Sequence, residues 1–472
     1  MNLYLIGHSY KYAAEQMLLT MFPSERPVYP AAPEAGDGAR IELDAESGKV
    51  TCTLTIGGAA FTAEEAVLPW TDETQHVRNE QRAVKMSFYR AALESGVPRP
   101  VWGALTGVKP GKLMARYLSG GQTAAEFAAD YDVSPERAAL CEQTTRYTLQ
   151  AKQSLQPGDV GLYVGIPFCP TRCAYCSFIS NAVGKNEKLM QPYLQALLKE
   201  VAATGRHMRA DGMRPVTVYF GGGTPTTLSA QQRDELCTAI EQAFDLSALR
   251  EYTVEAGRPD TITAEKLQVL KAHGVTRVSV NPQTMSDNVL NAIGRFHTAQ
   301  DIVDALALVR GAGDFEVNMD LIAGLPQDSE AGFRDTIQKV LALGPENITV
   351  HTLALKNGSR LAENPQVLPS GEAVGHMVDY AGKALREAGY EPYYLYRQKY
   401  MSGGFENVGW ARPGTINLYN IIMMEELAPV IAMGAGGSTK ITAADGSVRR
   451  QVNPKYPKEY IERIDTIVGE DT

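Results

Sequence analysis

Residues 162–178 read LYVGIPFCPTRCAYCSF. The apolar run Leu162–Ile166 predicts a buried strand, and Pro167 ends it. Cys169, Cys173 and Cys176 follow on the loop in the spacing C-x3-C-x2-C, so three of the six cysteines in the chain fall within eight residues. Three thiolates on one short loop suit three irons of a cubane [4Fe–4S] cluster, with the fourth iron open to an exchangeable ligand. A structural zinc needs a fourth protein ligand, and the nearest histidine, His207, falls far along the next helix. Cysteines that only fill core space are a third reading.

Beyond this stretch, strand-like and helix-like runs alternate. The strand candidates are Leu162–Ile166, Val216–Phe220, Tyr252–Glu255, Arg277–Val280, Val317–Ile322 and Ile348–Ala354. Between them, helical spacing marks Tyr193–Met208, a helix capped by Ser229 and running to about Phe244, and Ala264–His273 stopped by Gly274. Further helical turns run through Ile293, Arg310 and Glu330–Leu341. Six β/α units over about 200 residues imply a parallel sheet with helices outside, barrel-like or doubly wound.

The flanks differ from this segment. Residues 1–75 look β-rich, with Ile41–Leu43 and Val50–Ile56 alternating around a Glu46–Gly48 turn. Residues 76–155 look helical (Glu80–Leu93, Thr123–Asp130). Residues 156–370 hold the alternation, and 371–472 form a smaller α/β region with a helix at Ala373–Ala388 and a strand at Tyr390–Tyr396. The formal net charge of −9 counts against a nucleic-acid partner. No signal peptide and no apolar run of membrane-spanning length is seen, so the expectation is a cytoplasmic protein. Six cysteines in 472 residues exclude a disulfide framework, and Cys52, Cys141 and Cys237 are expected to fill core space. Gly107–Leu113 fails the phosphate-loop spacing, and the short helical pair within 122–137 is too acidic for DNA.

In a parallel β/α fold, functional groups belong at the C-terminal ends of the strands. The cysteine loop, Gly221–Thr224, Glu255, Gln283, Asp320–Ile322 and Ala354 all fall there. Glycines at 221–223 let a ligand approach the backbone closely. Single histidines are more often structural, so His273, His297 and His351 are assigned no catalytic role.

The text Ile166-Pro167-Phe168-Cys169 with Tyr175-Cys176, then Tyr219-Phe220-Gly221-Gly222-Gly223-Thr224-Pro225-Thr226, then Asp320-Leu321-Ile322-Ala323-Gly324-Leu325-Pro326, resembles the oxygen-independent coproporphyrinogen III oxidase family of the radical S-adenosylmethionine (SAM) superfamily. The resemblance covers roughly 160 to 440, and the N-terminal extension is similar to the HemZ-type members. It implies an α/β fold with an incomplete (β/α)6 barrel, one [4Fe–4S] cluster on Cys169, Cys173 and Cys176, and SAM. It places SAM against Tyr163, Gly222, Gly223, Thr224, Glu255, Gln283, Arg295, Asp320, Ile322 and Ala354. Arg295 suits the methionine carboxylate and Asp320 the ribose hydroxyls. Ile322 and Ala354 would pack the adenine and bond to it through their backbones.

The activity implied is radical decarboxylation of coproporphyrinogen III propionates to vinyl groups. A SAM-derived 5′-deoxyadenosyl radical takes a hydrogen from the propionate β-carbon, and a flavodoxin or ferredoxin supplies the electron. The tetrapyrrole carboxylates need cations, for which Arg397, Lys399, Arg412 and Lys440 are candidates, and Gly434–Ser438 is expected to form a nearby turn. Members of the family that make protoporphyrinogen often carry a further cysteine where this chain has Phe178. Phenylalanine there also occurs in the family's haem chaperones, so a chaperone or haem-modifying role stays open.

Overall fold

In the computed structural model, residues 1–32, 34, 36–177, 181–356, 358–363, 367–398, 402–442 and 448–469 are described. The chain divides into two compact units, Met1–Glu142 and Gln143–Thr472.

The first unit is built on strands whose alternate residues are apolar. β1 (Asn2–Ile6), helix α1 (Lys11–Met21), β2 (Gly38–Asp44), β3 (Lys49–Ile56) and β4 (Ala59–Ala66) lead into α2 (Glu73–Glu94), α3 (Pro110–Ser119) and α4 (Ala124–Tyr131). The four strands form one sheet in sequence order, with β1 parallel to β2 and the rest antiparallel. Val50, Cys52 and Leu54 of β3 share a core with Ala83, Val84 and Phe88 of α2. The expected β-rich region and α2, the first part of the expected helical region, therefore share one hydrophobic core, whereas Ala151 belongs to a core of the second unit. The reading of 1–75 as strands missed α1, whose Ala13, Ala14, Met17, Leu18 and Met21 are buried at helical spacing.

Helix α5 (Pro135–Ser154) carries the chain into the second unit. There β5 (Asp159–Ile166) is followed by two short strands, β6 (Phe168–Cys169) and β7 (Asn181–Ala182), and by α6 (Val183–Ala210). The alternation continues through β8 (Arg214–Gly222), α7 (Ala230–Ala243), β9 (Glu251–Glu255), α8 (Ala264–Ala272) and β10 (Arg277–Ser279). It ends with α9 (Asp287–Ala292), α10 (Ala299–Ala312), β11 (Glu316–Ala323), α11 (Glu330–Leu343) and β12 (Asn347–Thr352). Short polar caps start the helices: Ser229 and Gln232 exchange side-chain bonds with each other's amides at α7, and Thr298 and Asp301 do so at α10.

The remainder comprises α12 (Arg360–Glu363), α13 (Gly371–Glu387), β13 (Glu391–Tyr396), β14 (Asn407–Ala411), α14 (Leu418–Glu425) and β15 (Val430–Met433). Then come β16 (Ser438–Thr442), β17 (Val448–Val452), α15 (Pro457–Glu462) and α16 (Ile464–Val468). No helix among the described residues is long and apolar enough to cross a membrane.

One sheet holds the second unit together, in the order β13-β14-β12-β11-β10-β9-β8-β5-β15-β16-β17. Strands β5, β8, β9, β10, β11 and β12 are parallel and follow each other without reversal. Right-handed crossovers that always step the same way put their helices on one face, so the arrangement is singly wound rather than doubly wound. On that face Phe220 of β8 meets Tyr252 of β9, whose hydroxyl reaches Cys237 of α7. The pleat sends the neighbouring side chains to the other face, where Tyr163 and Tyr219 pack with Leu418, Tyr419, Ile421 and Ile422 from α14. The sheet does not extend by a further parallel strand beyond β12: β14 pairs with it antiparallel.

The first residues of four successive parallel strands form a polar plug, buried at Glu251, Arg277 and Asn347 and half-buried at Glu316. Arg277 opens β10 and pairs with Glu251, which opens β9, at 2.8 Å, and with Glu316, which opens β11. Its Nε donates to Asn347 Oδ1 of β12 at 2.9 Å. Glu251 in turn accepts the amides of Leu418 at 2.7 Å and Tyr419 at 3.3 Å. A carboxylate at a helix N-terminus satisfies amides that have no intrahelical partner, so the plug fixes α14 beneath the sheet.

Candidate active site

The opposite rim, at the C-terminal ends of the strands, carries the cysteine loop. Hydrogen bonds from three segments hold it. The amide of Gly223 donates to Ile166 O at 2.8 Å, and that of Thr224 to Phe168 O at 2.7 Å. A Cβ on Gly223 would lie 2.5 Å from Phe168 O, so this approach needs glycine. The amide of Ala174 donates to Ile293 O at 2.9 Å, Leu361 N to Ala174 O at 3.0 Å, and Thr171 Oγ1 to Gly294 O at 3.3 Å. Below the loop, Ala174 and Tyr175 pack on Ile322, Leu325, Leu353, Leu361, Val289 and Ile293.

Cys169 and Cys176 are half-buried and Cys173 is 8% exposed. Thr224 Oγ1 lies 3.5 Å from Cys169 Sγ. Burial alone would push the Cys173 thiol up, but the guanidinium groups of Arg295 and Arg258 outweigh it and hold the thiol below its ordinary value. Among the described residues, no three Cys, His, Asp or Glu side chains converge on a single metal-ion position. A mononuclear zinc asks for such convergence. A cubane asks each thiolate for a different iron.

Glu255 ends β9 and accepts the Tyr219 hydroxyl at 2.5 Å. Burial pushes its carboxyl up to about 7, the Tyr219 bond pulls the other way, and Asp320 adds to the rise. Tyr163, Tyr219 and Tyr419 form a stacked group, with Tyr219 and Tyr419 centroids 4.4 Å apart and Tyr163 6.4 Å from Tyr219. A Cβ on Gly221 would stand 3.1 Å from both the Tyr163 and Tyr219 rings and 3.4 Å from Glu255 Oε1. This glycine therefore keeps open the space that the two tyrosines and the carboxylate border.

Gln283 adopts the left-handed region at φ +66° and bridges to β11: its amide donates to Asp320 O at 2.8 Å and its carbonyl accepts Ile322 N at 3.0 Å. Such a conformation in a non-glycine residue is uncommon and clusters at functional sites. Asp320 Oδ1 accepts Asn318 Nδ2 at 2.9 Å and lies 4.0 Å from His351 Nε2. Arg295 is buried and gives Nη1 to the carbonyls of Asn281 at 2.5 Å and Gly257 at 3.2 Å, while its Nε has no hydrogen-bond partner. His297 is buried with neither ring nitrogen hydrogen-bonded, and burial plus the charges of Arg295 and Arg258 push it down to about 4. Ala354 follows the end of β12 and is half-buried.

Several expectations change in detail. The Gly223 and Thr224 amides are spent on the cysteine loop, and the Ile322 amide is taken by Gln283. The proposed contacts at those positions therefore rest on carbonyls and side chains. Arg412 and Lys440 lie at the wrong rim. β14 runs antiparallel to β12, so Ala411 pairs with Asn347 at the N-terminal end and Arg412 follows beyond it. Lys440 pairs with Val430, the first residue of β15, which runs parallel to β5. Arg397 does stand at the rim of the cysteine loop, just after β13, and donates to Gly404 O at 3.0 Å. Lys399 and Phe178 lie outside the described residues.

His273 is not at the site. It bonds Glu241 and Asp234 of α7 at 2.7 and 3.0 Å. Cys52, Cys141 and Cys237 are fully buried, and among the described residues no disulfide joins them. The turn at Gly434–Gly437 reaches the site's edge. Tyr193 donates to Gly165 O of β5 at 2.6 Å and accepts the Ala435 amide at 2.9 Å, while Glu200 accepts the Gly434 amide at 2.7 Å and the Tyr460 hydroxyl. Sequence reading missed Arg258, Asn281, Tyr219 and Tyr419. Tyr219 had a signal, since it opens the motif Tyr219–Thr226, and the structure pairs it in register with Tyr163 on the neighbouring strand.

The donor set of three thiols, the unbonded Nε of Arg295 and the space kept by Gly221 fit a cubane cluster with SAM beside it. Residues 163–340 match the radical SAM superfamily. The chain is 40% identical over 379 residues to the oxygen-independent coproporphyrinogen-III oxidase-like protein HemZ of Bacillus subtilis, covering 78% of this chain and 76% of that protein. It is 28% identical to the haem chaperone HemW of Escherichia coli over 64% of this chain and 76% of that one. Among solved structures, coproporphyrinogen III oxidase (HemN) from Escherichia coli superposes with TM-score 0.55 at 25% identity, covering 68% of this chain and 72% of that one.

A parallel α/β unit with this cysteine loop at its C-terminal rim is a radical SAM protein, a superfamily that works with a [4Fe–4S] cluster and SAM. Within it, the chain belongs to the family of HemZ, the oxygen-independent coproporphyrinogen-III oxidase-like proteins.

Proposed function

We propose that the chain converts two propionates of coproporphyrinogen III to vinyl groups, giving protoporphyrinogen IX without oxygen. The observation that supports this most is the gathering of Glu255, Gln283, Arg295 and Asp320 at the rim that carries the cysteine loop, since a cluster that only passed electrons would have no use for them. Cys169, Cys173 and Cys176 would hold the cluster. When bound, the cluster and SAM would supply one-electron cleavage of the sulfonium and removal of a hydrogen atom from each propionate, which then loses carbon dioxide and passes one electron to an acceptor.

The residues around it divide the remaining work. Arg295 binds the methionine carboxylate, for which a guanidinium offers paired donors. Asp320 accepts the ribose hydroxyls. Glu255, kept largely protonated below pH 7 by burial, orients the amino end together with carbonyls of Gly222 and Gly223. Thr224 fixes Cys169 beside it. Ile322 and Ala354 flank the adenine. Tyr163, stacked with Tyr219 and Tyr419, excludes water from the reacting region. Arg397 offers a cation to a propionate, and a flavodoxin or ferredoxin supplies the electron.

The resemblance to HemW favours a second reading, a haem chaperone on the same scaffold. Anaerobic incubation of the reconstituted protein with reductant, SAM and coproporphyrinogen III separates the two. The oxidase reading expects protoporphyrinogen and 5′-deoxyadenosine together. Tight haem binding with no decarboxylated product would overturn it.

A further inference from the structure

Arg258 follows β9 on a loop behind the cysteines and is 3% exposed. Its Nη1 donates to Thr171 Oγ1 at 3.0 Å and reaches Cys173 Sγ at 3.8 Å. Its Nε faces Asp260 Oδ1 at 3.4 Å but makes no hydrogen bond, and the Asp260 side chain is 45% exposed. A buried guanidinium is costly unless a close, equally buried anion compensates it. Asp260, nearly half of it in water, compensates it only in part. The remaining charge points at the central thiol of the loop.

We propose that Arg258 is a positioning residue that raises the reduction potential of the cluster through its charge and its donor beside Cys173. The inference rests on the reading that Cys169, Cys173 and Cys176 hold a [4Fe–4S] cluster. An oxidised cluster with three thiolates carries one negative charge. One electron from a low-potential donor of the ferredoxin or flavodoxin class makes it two. A buried cation and an N–H aimed at sulfur favour the more negative state. A residue that only held the loop would act through its bond to Thr171 instead, and would leave the potential where it is.

The test is an anaerobic redox titration followed by electron paramagnetic resonance, with iron measured on each reconstituted protein. The variants are Arg258→Met, Arg258→Lys and Thr171→Val. Arg258→Met is expected to lower the ratio of reduced to oxidised cluster about tenfold at a fixed potential, which for one electron is a midpoint about 59 mV more negative. Arg258→Lys is expected to shift less in the same direction, and Thr171→Val not at all. A wild-type midpoint in Arg258→Met, or an equal shift in Thr171→Val, overturns the proposal. If Arg258→Met takes up no iron, Arg258→Lys decides: a negative shift supports the proposal and a wild-type midpoint overturns it. Wild-type protein that itself assembles no cluster would overturn the cluster reading, and this proposal with it.

Discussion

At the scale of single residues, the site is a set of charges placed where water is scarce. Cys173 sits beside two guanidinium groups whose charges outweigh its burial and hold the thiol below its ordinary value. Replacing Cys173 with Ala removes one of three ligands. Iron content and turnover are both expected to fall to background, as read by iron assay and visible absorption. Glu255 works in the opposite sense. Its carboxyl is raised in the folded protein to about 7 from an ordinary 4.5, so the native state binds a proton that the unfolded chain has already released. The stability that Glu255 contributes is then fully present below about pH 4.5, falls as the pH rises toward about 7, and is gone above. Urea unfolding of Glu255→Gln across that window is expected to lack the wild-type fall. Much at this scale was legible in sequence, because cysteine spacing and the residue types at strand ends are local. Arg258 was not: it lies in a loop with no period, and its partner Thr171 is remote in sequence.

At the scale of elements, the strands announce themselves by apolar runs, and the helices by their caps. What sequence could not give is direction. Arg412 and Lys440 were credible cations until β14 proved antiparallel to β12 and Lys440 proved opposite the first residue of β15. Strand orientation is decided by pairing partners far along the chain, and no local pattern carries it. In α1 the signal was present, since its apolar residues recur at helical spacing, but neighbouring strands biased the reading. The contact between the Gly223 backbone and Phe168 makes a sharp element-level prediction. Gly223→Ala is expected to push β6 off the end of β8 and to reduce bound iron several-fold, while far-ultraviolet circular dichroism stays near wild type. Iron retained at the wild-type level would show that the cysteine loop does not depend on this approach.

At the scale of the molecule, the second unit keeps stability and chemistry at opposite ends of one sheet. The C-terminal rim carries the cysteines, Glu255, Gln283 and Asp320. The N-terminal rim carries the plug of Glu251, Arg277, Glu316 and Asn347, which fixes α14. Removing one partner of a buried ion pair leaves the other uncompensated and costs about 3–5 kcal/mol. Arg277→Met is therefore expected to lower the denaturation midpoint strongly. Arg277→Met combined with Glu251→Gln should lose less than the sum of the two single changes, because the two residues share the interaction. Additive losses would show that they act independently.

The pairing of β15 with β5 has a consequence in time. β5 is made early, just before the cysteine loop, whereas its neighbour β15 ends at Met433. At about 5–20 residues per second, synthesis separates Cys176 from Met433 by roughly 13–50 seconds. Throughout that interval the side of β5 that β15 covers in the folded chain has no native strand to pair with. The cysteines are thus synthesised well before the strand that seals the sheet edge beside them.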